Sequence, residues 1–243
     1  AGFFGPGNMT LTIAGGTVAD NGGVNAARCG TRGASSVAHS VPLGDGTHEV
    51  HSWYRAPDEF NRGSDSALTF RTITVHLSYD PDGPGAPVTT DVFIELSRPP
   101  SLFVHGLWSS EDTWSMDLVN DSRIPVRRRV DYSDSSADSF AQNVANQVVR
   151  NGVEAALSES DELLNRVAAR VDLVGHSMGG LLGRIRTADA DFPRPSACGS
   201  GSIRKIVTLD TPHEGSSLAD LLTALTFLPS YGPEISALFA VLG

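Results

Sequence analysis

The chain has 243 residues, of which 40% are hydrophobic and 19% charged, with a formal net charge of -10 at pH 7. This is the make-up of a folded globular protein with one large or two modest cores. The acidic balance leaves Arg127-Arg128-Arg129 as the one basic run and argues against nucleic acid, whose phosphates call for a clustered positive surface. No segment approaches the roughly 18 uninterrupted apolar residues of a membrane-spanning helix.

The first hundred residues are rich in Gly, Thr, Ser and Val and carry almost no helical periodicity. Met9 to Ile13 and Glu49 to Tyr54 are weak strand candidates, and Ala67 to Ser78 and Val88 to Ser97 are stronger ones. The breaker-dense link Tyr79 to Pro87 makes the last two a hairpin, with Thr72 and Thr74 on one face and Ile73 and Val75 on the other. Residues 1–98 are read as a small β-rich, sandwich-like domain; the alternative makes the hairpin the opening strands of the sheet that follows.

Past Pro99-Pro100 the rhythm becomes strand, helix, strand, helix, the signal of a parallel sheet covered on both faces. Strands are expected near 101–105, 126–132, 171–176 and 203–209. A short helix is expected over Glu111 to Val119, and a long helical stretch over Ser139 to Arg170, broken near Asn151-Gly152 and Ser158 to Ser160. A further helix begins at Met178, with Leu181, Leu182 and Ile185 toward the sheet and Arg184 and Arg186 more exposed. The arginine run falls inside an alternating strand rather than a phosphate cradle. Leu218 to Leu228 and Ile235 to Leu242 read as paired amphipathic helices, interrupted by Asp220, Pro229, Gly232, Pro233 and Glu234.

The chemistry concentrates in Val171 to Gly180, an apolar strand that ends in Gly175-His176-Ser177-Met178-Gly179 and runs into a helix. A serine on so sharp a turn presents its hydroxyl to a carbonyl, and the helix N-terminus behind it favours developing negative charge. Upstream, Ser101 to Ser110 opens with a short apolar strand that breaks at His105-Gly106, where a turn can present a backbone N–H. Downstream, Ile203 to Leu209 leads into Asp210-Thr211-Pro212-His213-Glu214-Gly215-Ser216.

In this order, strand–H-G-L, G-H-S-M-G-G and T-P-H-E-G-S resemble the α/β-hydrolase superfamily, in particular its bacterial lipase and esterase branch, over roughly residues 99–228. The resemblance implies an α/β fold with a parallel hydrolase sheet in a domain spanning 99–243. It makes Ser177 the nucleophile, the backbone N–H groups of Leu107 and Met178 the oxyanion hole, and the apolar segment from about 216 a cap or lid. It makes the Thr211 to Ser216 motif a structural turn, His213 resembling a family residue that is not the triad base.

The departure from that pattern is the missing base. In this fold the order is nucleophile, acid, base, and the single histidine after Ser177 is His213. Asp210, at a strand end from which some animal lipases of the superfamily supply the acid, reads rather as a turn-capping residue before Thr-Pro. His105 and His176 read as side chains that hold their turns. The chain is therefore expected to be part of a longer protein, with the acid and base on a further C-terminal segment or another chain, so that this chain alone is inactive. It opens on Ala1 with no charged and apolar leader, which fits a secreted or cell-surface protein whose signal peptide has been removed.

Cys29 and Cys198 either form one disulfide or stay as two thiols, and the unpaired reading is favoured at this point. No metal motif is present, and the Asp131 to Asp138 and Asp80 to Asp82 stretches read as solvated loops. No cofactor is expected. The expected function is hydrolysis of a carboxylic ester with an apolar acyl chain through an acyl-enzyme on Ser177. The alternatives are a secreted binding or structural protein that keeps the fold without turnover, and acyl transfer to an alcohol.

Overall fold

The structure is a computed structural model, and it describes residues 6–30, 33–42, 49–60, 65, 67–107, 109–133, 145, 147–164, 167–194, 198–217 and 220. The chain divides into two compact units, Ala1–Arg98 and Pro99–Gly243. The expected paired helices after 216, and the start of the long helical stretch at Ser139, lie outside the described residues.

In the first unit, β1 (Gly7–Ile13), β3 (Ser36–Val41), β5 (Phe70–Pro81) and β6 (Val88–Ser97) form one antiparallel sheet in the order β3-β1-β5-β6. The short β2 (Gly23–Asn25) and β4 (Trp53–Arg55) form a second, two-stranded sheet. A single helical turn, α1 (Val18–Asn21), is closed by a capping box in which Thr17 and Asp20 bond each other's backbone N–H. The period-2 pattern of β5 resolves as Ile73 and Val75 inward, where they pack with Ile13, Val24, Phe60 and Leu96. Because β5 pairs with β1 and β6, the hairpin belongs to this sheet and opens no hydrolase sheet. A buried cation sits at the edge of this core: the Arg71 guanidinium donates to Asn21 Oδ1 at 3.0 Å, lies 3.5 Å from Asp65 and faces the Phe60 ring.

In the second unit, β7 (Ser101–Val104), β8 (Arg127–Val130), β9 (Val171–His176) and β10 (Ile203–Leu209) form a parallel sheet in the order β10-β9-β7-β8. These are the four strands expected. Leu102, Phe103, Val104, Val171 and Leu173 are wholly buried, as strands covered on both faces must be. The chain starts at an inner strand, moves out to β8, then crosses back to β9 and β10. The strand order therefore reverses between β7 and β9, the place where open α/β sheets bind ligands beyond their carboxyl ends. The three consecutive arginines are spread along β8 and individually engaged: Arg127 with the Asp121 carbonyl, Arg128 with Glu159, Arg129 with Glu111 and Asp112.

The helices depart from expectation in three places. The 111–119 segment is a 3₁₀ turn, Glu111–Thr113, followed by α2 (Met116–Val119). α3 (Arg150–Leu164) is continuous where breaks were expected. Gly152 sits where the helix presses on the sheet, since a Cβ there would lie 2.6 Å from the Val130 side chain. Ser158 donates to Glu162 one turn on, at 2.9 Å, so a hydroxyl read as a breaker is absorbed on the helix surface.

The third departure is the face of α4 (Met178–Ala188). Gly179, Leu182, Gly183 and Arg186 point inward, while Ile185 is 36% exposed and Arg186 only 2%. A charge at a core position defeats a hydrophobicity pattern, and it is tolerated here because Asp191 and Asp189 pair with the guanidinium and Phe192 lies against it. The cysteines are a further correction, since neither Cys29 nor Cys198 is a free thiol and each is disulfide-bonded.

The Arg186 hydrogen bond holds the Asp191 carboxyl below the usual carboxylate range. Its stabilising contribution is complete above the ordinary Asp value and fades as pH falls through the depressed folded value. Asp191→Asn should lower the thermal midpoint at pH 7, and the gap to wild type should close as the pH drops toward 2, as followed by differential scanning fluorimetry across that range.

Candidate active site

Ser177 occupies the junction of β9 and α4 with φ 51° and ψ -120°, a backbone conformation that non-glycine residues rarely adopt. The turn closes through its own backbone: the Ser177 N–H donates to the Leu209 carbonyl at 2.8 Å, and the Gly180 N–H returns to the Ser177 carbonyl at 3.2 Å. The flanking glycines are there for approach. A Cβ on Gly175 would stand 2.5 Å from the Gly180 nitrogen, and one on Gly179 would run into the Val104 and His105 carbonyl oxygens. Only hydrogens at these positions let the first turn of α4 lie across the ends of β7 and β9.

The His105-Gly106 turn after β7 comes directly against the serine. A methyl built on Gly106 would lie 2.9 Å from Ser177 Cβ and 3.0 Å from His176 Nδ1. Leu107, whose amide follows, is 40% exposed, so this rim of the site is open to solvent. Met178 is the first residue of α4, where backbone N–H groups lack intrahelical partners. The structure thus gathers the Gly106 turn, Ser177 and the start of α4 at the strand-order reversal.

The histidines divide by environment. His105 is 1% exposed, lies flat on the Tyr132 ring at 3.9 Å and bonds within its own turn. His176 packs edge-on to Trp114, whose ring also meets Phe103, and its buried Nδ1 has no hydrogen-bond partner among the described residues. His213 is exposed, with Nδ1 accepting from Arg184 at 2.8 Å and Nε2 at 3.2 Å from the Thr208 hydroxyl. A triad base has a carboxylate at its second nitrogen, whereas His213 has a guanidinium there. Asp210, exposed, adopts φ 50° at the end of β10, the backbone of a turn residue.

Tyr132 and Trp114 were not singled out from the sequence as site residues. Tyr132 closes Val130-Asp131-Tyr132 at the end of β8, beside β7, and its hydroxyl donates to the His105 carbonyl at 2.5 Å. A strand end next to the turn was the available signal, but strand adjacency is not written in a sequence. Asp131 lies 3.2 Å from His105 Nε2, and the Ser133 backbone N–H holds its carboxyl below the usual range. Among the described residues no cluster of three or more His, Cys, Asp or Glu is placed to hold a metal, and no helix is long and apolar enough to cross a membrane.

The strained backbone at Ser177 has a measurable consequence. Ser177→Gly and Ser177→Ala both delete the hydroxyl, but only glycine relieves the positive φ. The glycine variant should be the more stable of the two by about 1 kcal/mol in urea denaturation.

Comparison with known proteins places these observations. Residues 132–227 match the family described as PGAP1-like alpha/beta domain. No curated protein matches the chain. Among solved structures, the chain is similar to the lipase BlEst2 of Bacillus licheniformis in its mature form, at 27% identity and a TM-score of 0.35 over 52% of this chain and 46% of that one. A protein of Legionella pneumophila described as a putative hydrolase shares 13% identity with a TM-score of 0.40 over 71% and 60% of the two chains. Acetyl xylan esterase 1 of Thermoanaerobacterium shares 14% identity with a TM-score of 0.28 over 70% and 57%. The chain thus spans between 46% and 60% of the length of these structures. Within the unit from Pro99 onward, residues 132–227 are thus similar to the PGAP1-like alpha/beta domain.

Proposed function

We propose that the protein is a serine hydrolase that cleaves carboxylic esters, with Ser177 as the nucleophile and the Leu107 and Met178 backbone amides as the oxyanion hole. The observation that carries this reading is the backbone of Ser177, held at φ 51° on a strand-to-helix turn with the Gly106 turn against its Cβ. Local strain of this kind costs on the order of 1–3 kcal/mol and is concentrated where function requires it.

In this mechanism the Ser177 oxygen adds to the ester carbonyl as a general base removes its proton. The two amides bind the oxyanion, the alcohol departs with a proton, and water then hydrolyses the acyl-enzyme by the same steps. The base and its acid come from a further segment or another chain, because the ring nitrogens of His213 are already taken by Arg184 and Thr208. The favoured substrate is an ester with an apolar acyl chain. The lipase and esterase names among the similar structures agree with this class. The disulfide-bonded cysteines fit an oxidising compartment, which supports a location outside the cell or at its surface.

A non-catalytic binding role is the second reading, favoured by the engagement of His213 alone. Treatment with a fluorophosphonate probe separates the two. Labelling is expected at Ser177 and should vanish in Ser177→Ala, while an unlabelled full-length protein, or equal labelling of the alanine variant, would remove the hydrolase reading. Recovery of labelling only with a longer C-terminus or an added chain locates the base.

A further inference from the structure

The peptide that joins Gly106 to Leu107 carries both a constraint and a function. Its carbonyl, Gly106 O, lies 2.8 Å from His105 Nδ1, and its N–H is the Leu107 amide assigned above to the oxyanion hole. A carbonyl can only accept, so Nδ1 carries the proton and donates. On the other side of the ring, Nε2 accepts from the Tyr132 N–H at 3.2 Å, which fixes this tautomer in the neutral imidazole. In the imidazolium, Nε2–H donates to the Asp131 carboxylate at 3.2 Å and Nδ1 still donates to Gly106 O. The ring itself is buried and stacked on Tyr132, whose hydroxyl ties down the His105 carbonyl at 2.5 Å.

In a planar trans peptide the C=O and N–H point in opposite directions, so whatever fixes one fixes the other. We propose that His105 is a positioning residue for the oxyanion donor: by gripping the Gly106 carbonyl it prevents rotation of that peptide and keeps the Leu107 N–H turned toward the carbonyl oxygen bound at Ser177. Glycine at 106 makes the grip necessary, since a residue without Cβ leaves the peptide free to rotate. The inference rests on the hydrolase reading of Ser177 and Leu107.

The test compares side chains that imitate one ring nitrogen each, in the full-length protein with p-nitrophenyl butyrate as the probe ester. His105→Asn places an amide N–H near the Nδ1 position, whereas His105→Gln reaches the Nε2 position and leaves Gly106 O without its donor. The Asn variant should keep kcat within about threefold of wild type. The Gln variant should lose about 10- to 100-fold in kcat with KM within about twofold, a fraction of the hundred- to thousandfold loss seen when an oxyanion donor is deleted outright. A role in packing alone would reverse this order, because Gln better fills the space against Tyr132. Should the Gln variant not fold, His105→Leu, close to Asn in shape but without a donor, makes the same comparison. Equal kcat for the donor and non-donor variants in a protein whose wild type is active overturns the positioning role alone. A wild type with neither ester turnover nor labelling at Ser177 overturns the hydrolase reading and this inference with it.

Discussion

The second unit depends on how closely one helix can approach one strand end. At Gly179 the backbone of α4 lies against the carbonyl oxygens of Val104 and His105, so near that any side chain would collide. That contact fixes the direction in which α4 leaves β9 and, with it, the conformation forced on the residue between them. The Ser177 backbone pays for this closeness with a positive φ, and the glycines on either side absorb the sterics. The Gly106 turn then has only one place to go, against the serine. Three strand ends and a helix start are brought together by the absence of a few methyl groups more than by any attraction between them.

What surrounds this contact is ordinary core. β7 is buried on both faces and β9 on one, with Leu102, Val104, Val171 and Leu173 packed against Val153 and Ala156 of α3 and Leu182 of α4. Complete burial of such side chains contributes roughly 1.5–3 kcal/mol each and supplies the rigidity that a strained turn needs. The two buried guanidinium groups are paired, Arg186 in this unit with two aspartates and Arg71 in the first unit with Asn21 and Asp65. In both cases an aromatic ring, Phe192 or Phe60, covers the guanidinium face, which a planar and weakly hydrated cation accepts more readily than an ammonium would.

The parallel sheet and the elbow were legible because their signals are local. Continuous apolar runs of four to seven residues that end in Gly-containing turns mark buried strands, and the Gly-x-Ser-x-Gly spacing states its own geometry. The hairpin β5–β6 was legible for the same reason, from its alternation and its breaker-rich link. β3 was missed because Ser36-Val37-Ala38-His39-Ser40-Val41 has too few large apolar residues to stand out; it is a strand because β1 offers it a pairing edge. The inward face of α4 was misread because Arg186 is made tolerable by Asp189 and Asp191, which come after the helix ends. The disulfide state and the Tyr132–His105 stack are properties of proximity in space, and no spacing along the chain announces them.

Within each sheet the partners lie at very different distances along the chain. β5 and β6 meet across a short turn from Pro81 to Val88, whereas β7 must wait for β9, whose first residue is Val171, before its second edge is paired. Closing the longer loop costs more chain entropy before any contact repays it, and parallel pairing through distant segments is slow for that reason. Each sheet therefore depends on one pairing closed across a long loop, β1 with β5 in the first unit and β7 with β9 in the second, and the strand end that carries Ser177 takes its place only when β9 has found β7.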